Sequence, residues 1–577
     1  MARRVMVTIR STGDALSRAG VSAEASSARN GFEGGGGIIM AMPPTPEFPV
    51  TWEPATDASL FWMRDVLHHP EPIGPLAGDM LQLVFEDGVN AALASYRFPW
   101  RSRRRYFNGY SYSAVEPTGT SAEIALERVR TAADGMGQAW LGDWLPEVQG
   151  HLAFWQGFDL DGASRQALQI HLEETVARCR RLGEVHFLAS LPGMLATSEF
   201  EDLYADLVGS GLEAHFLLQG LSTKLQEMGR DLEQLARLAG EEEAVRRILS
   251  ASPPTEMASR LAAMPAGSPF ATAFHQFLTE YGQRSANGWE VDRPSWIEDP
   301  GPLLATLRSA LASAPRPPAP GAAERERAVQ TVLQRVQGDP RAERFSHLLQ
   351  AARVSAVIKE DHNFWIDFAA PYQVRRVLQA WGRRLAADGT LAAPEDVFWL
   401  TLAELRESAA APVGSFRRQA QADRRRADTA RFAAVMPPPV LGTPPAGPLP
   451  DNPLTRAMTR VFGGRSRPPA DDMLHGVAAS AGVVRGPVRI LRAPEEADRL
   501  RPGEILVART TSPSWTPLFR MAAGVITDVG GVLSHSAVVA REYGIPAVVA
   551  VGSATLWLHD GQQVEVDGSA GTVRLLL

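Results

Sequence analysis

The 577-residue sequence is poor in cysteine and lysine and lacks a long hydrophobic run. Its single cysteine, Cys179, excludes an intrachain disulfide and is typical of a protein from a reducing cytosol. No run of about 18 apolar residues occurs, so we expect no transmembrane helix and no membrane partner. A net charge of −7 argues against a general nucleic-acid-binding protein. We therefore predict a soluble, cytoplasmic protein.

Lysine is scarce, because only Lys224 and Lys359 occur among 58 lysine and arginine residues. A GC-rich genome that favours arginine codons explains this bias. The two retained lysines are then of interest, because an ammonium group can lose its proton whereas a guanidinium group does not. The arginine cluster from Arg101 to Arg105 is expected in a solvated loop or on a surface that docks a partner, rather than at a nucleic-acid site.

The chain is too long for one compact core, so several domains are expected. Residues 1–42 contain a Gly34–Gly37 run and are predicted to be a disordered or non-native extension, with Met40 or Met42 as an alternative start. Residues 43–434 have apolar positions at three- and four-residue spacing, which predicts a mostly α-helical domain. The stretches with this spacing are 160–183, 200–250, 256–282, 302–313, 321–358 and 370–388.

The composition changes twice more towards the C-terminus. Residues 435–473 are rich in proline and are predicted to be a flexible linker, with a reach on the order of 100 Å if extended. Residues 474–577 contain short runs of β-branched residues separated by glycine and proline, which predicts a compact α/β domain. The predicted fold is therefore multidomain, with a helical domain followed by a C-terminal α/β domain.

One motif in the last domain points to phosphate chemistry. Gly530 and Gly531 follow a strand-like run and precede Ser534, a favourable N-cap, and His535. The sequence that follows is helical in pattern, so the His535 imidazole is expected at a helix N-terminus, where the dipole and free N–H groups favour a bound phosphate. A histidine at that position can carry a phosphoryl group.

This region resembles the swivelling phosphohistidine domain of the PEP-utilising enzymes. The resemblance is carried by the Gly-Gly turn, Ser534-His535, the Ala-Arg-Glu of the helix that includes Arg541, and a Thr-Thr-Ser-Pro stretch that begins at Thr510. It implies that His535 is transiently phosphorylated and that Gly530, Gly531, Ser534, Arg541 and Thr510 form the phosphohistidine loop and its support.

The helical region resembles the acceptor-substrate domain of rifampicin phosphotransferase and its relatives. His69-Pro70-Glu71-Pro72, the stretch 277–300 and Pro394-Glu395-Asp396-Val397 carry this looser similarity. In that family an ATP-grasp domain charges the histidine, but no such domain and no phosphate loop of the Gly-x-x-x-x-Gly-Lys type is visible in the sequence. We therefore expect ATP and Mg²⁺ to act through a separate ATP-grasp protein, as in phenylphosphate synthase.

The segment from Lys359 to Asn363 is the candidate acceptor site. It contains Lys359, Glu360, Asp361, His362 and Asn363, and it is similar to an Arg-Glu-x-x-Lys stretch of rifampicin phosphotransferases. Asn363 stands where that family has lysine, which departs from the rifamycin-binding pattern. His362, Glu360 or Asp361 is a candidate general base, and Lys359 a candidate for neutralising phosphoryl oxygens.

Arg284 and Glu290 match a Gly-x-Arg…Glu pattern of the same family. Two interpretations stay open, namely a buried ion pair between helices and phosphate capture by Arg284. No group of metal ligands has a characteristic spacing, and the adjacent His68 and His69 diverge, so no metal site is predicted.

Three functions follow from these patterns. The first is a phosphotransferase component that carries a phosphoryl group on His535 and delivers it to a small organic hydroxyl acceptor. The second is an enzyme that uses phosphorylation to drive an elimination or dehydration in a biosynthetic pathway. The third is a non-catalytic binding or scaffold protein derived from such an enzyme.

Overall fold

The computed structural model describes residues 48–66, 68–209, 214–219, 221–264, 267–285, 288–312, 322–444, 447, 451–462, 473–511, 515–532, 534–552 and 554–576. The predicted N-terminal extension, residues 1–42, lies outside these residues. No helix in the described part of the chain is both long enough and apolar enough to span a membrane.

The first domain is mostly helical, as expected. Its α-helices are α1 Pro75–Gln82, α2 Val89–Ser95, α3 Ala122–Ala139, α4 Leu145–Gln156, α5 Arg165–Leu207, α6 Lys224–Glu241, α7 Glu243–Ala251, α8 Pro254–Ala262, α9 Pro269–Tyr281, α10 Gly301–Ala312, α11 Ala322–Val336, α12 Ala342–His362, α13 Ala370–Ala387, α14 Leu402–Ala410, α15 Gln419–Ala433 and α16 Pro453–Phe462. Short 3₁₀ helices span Ala55–Ser59, His215–Leu218 and Pro394–Trp399, and π-helices span Leu83–Gly88, Trp140–Trp144 and Asn363–Ala369.

Helix α5 is the central rod of this domain. Ser164 caps its first turn by accepting a hydrogen bond from the Ala167 N–H at 3.1 Å. The spacing predicted two separate helices here, but α5 runs through Pro192 as one element. Gly193 allows α12 to pack closely, because a Cβ at this position would lie only 2.2 Å from Oγ of Ser355. The wall that α5 and α12 form together carries several side chains of the site described below.

A small antiparallel sheet, which the helical periodicity did not predict, lies at one side of this domain. Its strands are β1 Phe61–Arg64, β2 Trp100–Phe107, β3 Tyr110–Pro117 and β4 Val440–Gly442, in the order β2-β3-β1-β4. Asn108 and Gly109 both have positive φ, as a tight hairpin turn requires. The Arg101–Arg105 cluster lies in β2 rather than in a loop, and its guanidinium groups pair with carboxylates such as Glu116 and Asp57.

The predicted linker, residues 435–473, is folded in much of its described part, which corrects the expectation of an extended tether. Strand β4 pairs with β1, with Leu441 opposite Trp62, and α16 lies on α5, where Arg460 contacts Ser198 and Asp202. Pro437, Pro438 and Pro439 precede an edge strand and Pro453 occupies the first position of a helix, so these prolines cost no N–H bond. Residues 463–472 lie outside the described residues.

The C-terminal region folds as an α/β domain, which confirms the predicted class. Its strands are β5 Met473–His475, β6 Val477–Ser480, β7 Val483–Leu491, β8 Ile505–Ala508, β9 Gly524–Thr527, β10 Ala547–Val549, β11 Gln563–Asp567 and β12 Thr572–Leu575. They form one sheet in the order β5-β12-β11-β7-β8-β9-β10-β6, with β7 to β10 parallel. Helices α17 Thr516–Phe519, α18 His535–Glu542 and α19 Ala554–Trp557 and a 3₁₀ helix, Pro494–Arg499, complete it.

The α/β domain packs against α6 and α10 of the helical domain. Ala305 of α10 is buried in the same apolar cluster as Trp515 and Phe519, and Leu225 of α6 packs against its edge. Polar contacts flank this cluster, because Gln226 donates to Glu542 at 3.1 Å and Arg520 pairs with Glu233. This arrangement places α18 against the helical domain.

Candidate functional site

His535 is the first residue of α18, at the end of the turn that follows β9. Gly530 has a φ of +131°, a region that residues with a Cβ rarely adopt, and a Cβ there would lie 2.9 Å from Oγ of Ser534. Ser534 has extended backbone angles, and its Oγ accepts from the Ala537 N–H. The Gly-Gly turn and the N-cap thus place the imidazole at a helix N-terminus, as the sequence predicted.

The imidazole is held from both sides by threonine hydroxyls. Oγ1 of Thr511 lies 3.0 Å from Nδ1 of His535, and Oγ1 of Thr516 lies 3.1 Å from Nε2. The Phe519 ring meets the imidazole edge-on, with centroids 6.0 Å apart. Both threonines were missed by the sequence analysis, which selected Thr510 instead. Thr510 is buried, and its Oγ1 makes no hydrogen bond within the described residues.

His535 faces a cavity of about 1500 Å³ between the two domains. Both domains contribute to its walls. Residues of the α/β domain include Thr511, Ser534, His535, Val538, Arg541 and Glu542, and residues of the helical domain include Phe85, His186, Phe187, Trp289, Lys359, Glu360, His362, Asn363, Asp367 and Phe368. A volume of this size accommodates an organic molecule larger than a phenol.

Burial disfavours several cationic groups that line the cavity or lie close to His535. Burial lowers the pKa of Lys359 to about 8, with a further contribution from Arg541 that the negative charge of Glu360 opposes. Burial also lowers the pKa of Arg284 to about 10. The pKa of His535 lies well below its ordinary value, because the imidazole is buried and Lys359 and Arg284 add positive charge nearby. Cationic groups retained at such a cost are typical of a functional site.

The predicted acceptor segment divides into residues that face the cavity and one that does not. Lys359, Glu360, His362 and Asn363 line the cavity. Asp361 instead accepts a hydrogen bond from the backbone N–H of Lys224 at 3.4 Å, at the start of α6. Asp361 is therefore not among the cavity-lining residues, and its predicted part in acceptor binding or proton transfer has no support from this geometry.

Arg284 and Glu290 are both buried, but the ion pair considered from the sequence does not join them in the described structure. Glu290 pairs with His69, whose Nδ1 lies 3.0 Å from its Oε1. The guanidinium of Arg284 lies over the Phe368 ring at 4.3 Å, and its Nη1 contacts the Met228 sulfur. Its Nε makes no hydrogen bond to a described residue. Arg284 is therefore a buried guanidinium group near His535, which is compatible with phosphate capture. Glu290 pairs with His69 instead.

Arg541 is the remaining cation predicted for the phosphohistidine loop. Its Nη2 donates to the carbonyl of Val532 and thus supports the turn before His535. Its Nη1 is buried without a hydrogen bond to a described residue. Burial lowers the pKa of Arg541 to about 10, although Glu201 and Glu542 partly offset this. The side chain therefore braces the loop with one nitrogen and leaves another available near the cavity.

Two further cavity residues, His186 and Asp367, were not selected from the sequence. Together with His362 they place three ligand-type side chains within 4.8 Å of one another, as measured between their nitrogen and oxygen atoms. The residues come from α5, from the end of α12 and from the π-helix after it, so their spacing in the sequence gives no metal signature. Of these three residues, only His362 was selected from the sequence.

Comparisons with known proteins agree with the order of the two domains. Residues 186–360 match the model of the rifampicin phosphotransferase fourth domain, and residues 500–571 match the mobile domain of PEP-utilising enzymes. The fold, the histidine-bearing loop and these matches together assign the chain to the PEP-utilising enzyme family.

Individual relatives extend the similarity over most of the chain. The sequence is 35% identical over 558 residues to chondramide synthase of Chondromyces crocatus, which covers 93% of this chain and 14% of that protein. It is 31% identical over 536 residues to an uncharacterized phosphotransferase of Bacillus subtilis, covering 90% and 62% of the two chains. It is 32% identical over 412 residues to rifampicin phosphotransferase of Streptomyces sviceus, covering 68% and 44%. The chain thus spans less than two thirds of each of these relatives.

Proposed function

We propose that this protein is a phosphotransferase component in which His535 carries a phosphoryl group and delivers it to a hydroxyl group of a small organic acceptor. The position of His535 carries this proposal, since the imidazole sits at a helix N-terminus and opens onto the cavity that also contains Lys359 and Glu360. Membership of the PEP-utilising enzyme family supports it. The acceptor would bind in the cavity, between the two domains.

In the proposed transfer, an oxygen of the acceptor attacks the phosphorus atom on His535. The new P–O bond forms as the P–N bond breaks, and the electron pair of that bond returns to the ring nitrogen. The acceptor proton passes to the carboxylate of Glu360, which lines the cavity. His362 is less suited to this step, because its Nδ1 is bonded to the Ile358 carbonyl and its Nε2 faces Asp367.

Positive charge around the phosphoryl group would stabilise the transition state. Lys359 and Arg284 are near enough to His535 to lower its pKa, and Arg541 stands six residues further along α18. Where such cations are shielded from water, they neutralise phosphoryl oxygens more effectively than they would in solvent. Their burial is costly in the free protein, and a bound phosphoryl group would offset that cost.

We further propose that the α/β domain swivels between this docked position and a donor site. The donor would be ATP with Mg²⁺, bound by a separate ATP-grasp protein that phosphorylates His535. Support comes from the resemblance to enzymes that charge the histidine in this way. Transfer in two positions would also keep ATP away from the acceptor cavity, which limits direct hydrolysis.

The cavity favours an acceptor with a substantial apolar surface. Phe85, Phe187, Trp289 and Phe368 contribute aromatic surface, and Asn363 supplies an amide where rifampicin phosphotransferases have lysine. We therefore propose a phenol or a larger natural-product hydroxyl rather than a sugar or a nucleotide.

A second candidate function is phosphorylation that drives an elimination or dehydration. The similarity over 93% of the chain to a protein named chondramide synthase favours it, because that name describes the making of a product rather than its phosphorylation. In this case inorganic phosphate and an unphosphorylated product would accumulate. The same His535 chemistry would start both reactions.

The test uses phosphoramidate, a small chemical donor that phosphorylates histidine without a partner protein. Labelled protein would be isolated, treated with a panel of phenols and hydroxylated natural products, and followed by ³¹P NMR. We expect acid-labile phosphate on the wild type and on His559→Ala, an exposed histidine of the same domain, but none on His535→Ala. Transfer of label to an acceptor supports the phosphotransferase, and free phosphate with a dehydrated product supports the second candidate. Equal labelling of His535→Ala would contradict both and favour a non-catalytic binding protein.

A further inference from the structure

Three side chains on one wall of the cavity have the types and separations of metal ligands. Nδ1 of His186 lies 3.2 Å from Oδ1 of Asp367, and Nε2 of His362 lies 4.0 Å from Oδ2 of the same carboxylate. The two imidazole rings are perpendicular, with centroids 4.5 Å apart. Ligand atoms around a tetrahedral zinc ion are separated by about 3.3 Å, so small side-chain rotations would close this set on one ion.

The local backbone brings these residues together. His362 ends α12, and Asp367 lies in the π-helix Asn363–Ala369. Residues five apart lie on different faces of an α-helix, with its about 3.6 residues per turn, whereas the wider π turn moves them towards one face. His186 faces them from α5. A π segment of this kind is often found at functional sites.

The surrounding hydrogen bonds leave the ligand atoms pointing at one another. Nδ1 of His362 donates to the Ile358 carbonyl at 2.9 Å, so Nε2 keeps its lone pair on the side of Asp367. Trp289 donates its indole N–H to Oδ1 of Asp367 at 3.3 Å and so orients the carboxylate. Such outer contacts commonly fix the ligands of a metal.

His186 provides the observation that most directly points to an ion. Its Nδ1 is buried and lies 3.2 Å from Oδ1 of Asp367, an ion-pair contact that lacks good hydrogen-bond geometry. A buried polar atom without a well-formed hydrogen bond is costly. A cation placed between the histidines and the carboxylate would satisfy it.

We propose that His186, His362 and Asp367 bind one divalent transition-metal ion of the Zn²⁺ type, a site that the sequence did not predict. Two histidines and one carboxylate are typical ligands of such an ion and leave a coordination position open. All three residues line the acceptor cavity, so the open position faces the space that the acceptor would occupy.

The role of the ion rests on the proposed function, although its binding does not. The acceptor hydroxyl would coordinate the ion, which acidifies the hydroxyl and holds its oxygen for attack on the phosphorus atom of phosphorylated His535. The proton passes to Glu360, the P–O bond forms, and the P–N bond breaks with its electron pair returning to the imidazole. The ion is neither oxidised nor reduced.

The test is binding of Co²⁺, a spectroscopic substitute for Zn²⁺, to the full chain after treatment with a chelator. We expect one equivalent to bind and to produce visible absorption bands of a low-coordinate cobalt site, which added Zn²⁺ abolishes. His186→Ala and Asp367→Asn should each weaken binding at least tenfold. His347→Ala is the matched control, since His347 pairs with Asp134 at 3.2 Å on the exposed surface, and it should bind as the wild type does.

Other outcomes would overturn the proposal. Absence of stoichiometric cobalt binding by the wild type would do so even if a variant failed to fold. Unchanged binding by folded His186→Ala and Asp367→Asn would place the ion elsewhere, and the cluster would then be a hydrogen-bonded His–Asp–His group. His535→Ala should retain the metal, so failure of phosphoryl transfer with intact cobalt binding would count only against the proposed function.

Discussion

The side-chain oxygen of Thr511 lies 3.0 Å from Nδ1 of His535. Thr516 makes the corresponding contact to Nε2 at 3.1 Å, so the imidazole is restrained at both nitrogens. A ring held in this way has one orientation relative to the cavity. The two hydroxyl groups therefore fix how the ring is presented to an incoming phosphoryl group.

We expect Thr511→Val to slow phosphorylation of His535 by about tenfold, because valine keeps the shape of the side chain but cannot hydrogen-bond the ring. Initial rates of labelling by phosphoramidate would measure this. Thr572→Val, in strand β12 of the same domain, should leave the rate unchanged. A wild-type rate for Thr511→Val would show that the hydroxyl has no part in orienting the imidazole.

Lys359→Met should raise the melting temperature at pH 7 by a few degrees. Lys359 has a pKa of about 8 in the folded protein and an ordinary value of 10.5, so its buried charge destabilises the fold at pH 7. The stability of the wild type should rise between about pH 8 and 10.5, where only the unfolded chain binds this proton. The difference in melting temperature between Lys359→Met and the wild type should therefore shrink in this range. Differential scanning calorimetry across this range would measure the effect.

The other lysine provides the control for this experiment. Lys224 pairs with Glu227 and Glu280, and these contacts raise its pKa. Lys224→Met should therefore give no gain in melting temperature. Lys359→Met should also lower the rate of transfer from His535 to an acceptor by about 100-fold, because the cation near the phosphoryl group is lost. Destabilisation by Lys359→Met at pH 7 would contradict the assignment of a costly buried charge.

Docking of the α/β domain should weaken as the pH falls below 6.5. The pKa of His535 is well below 6.5 in the docked position, because of burial and the charges of Lys359 and Arg284. An undocked, exposed imidazole binds a proton more readily, so docking is fully stable above 6.5 and loses stability below it. Fluorescence energy transfer between labelled domains would follow the change.

The pH dependence of docking should be compared between the wild type and His535→Gln, which separates the effect of His535 from that of other titrating groups at the interface. Burial and the nearby Arg541, Arg460 and Lys359 also lower the pKa of His215, whereas burial raises that of Glu201 to about 7. Both groups are present in either protein. Identical pH profiles for the wild type and His535→Gln would show that His535 does not couple docking to protonation.

Ala305→Arg should impair transfer from His535 to the acceptor without impairing phosphorylation of His535. Ala305 is only 3% exposed and belongs to the apolar cluster under the α/β domain, so a guanidinium group there would oppose docking. We expect phosphorylation of His535 to persist while transfer to the acceptor falls at least tenfold. Ala153→Arg, on the exposed side of α4, is the control. Equal loss of both steps would indicate misfolding or a role for the docked position in charging.

The parts of the site that local sequence could predict are those fixed within one element. The Gly-Gly turn and the N-cap predicted Ser534 and His535. The concentration of charged residues in one helical segment predicted Lys359 and Glu360. Thr511 was missed in favour of Thr510, because a motif locates a strand end but does not show which of two adjacent hydroxyls turns towards the ring. His186 and Asp367 were missed because only the packing of α5 on α12 and the π turn brings them together.

The pairing of β4 with β1 and the packing of α16 on α5 limit how far the α/β domain can move from the helical domain. With those contacts kept, Met473 at the start of β5 can move no further than about 40 Å from Phe462 at the end of α16, because an extended residue spans about 3.6 Å. The domain would therefore pivot about the end of α16 rather than travel on a long arm. If a separate donor protein charges His535, as proposed, it must reach His535 within this limit extended by the distance from Met473 to His535.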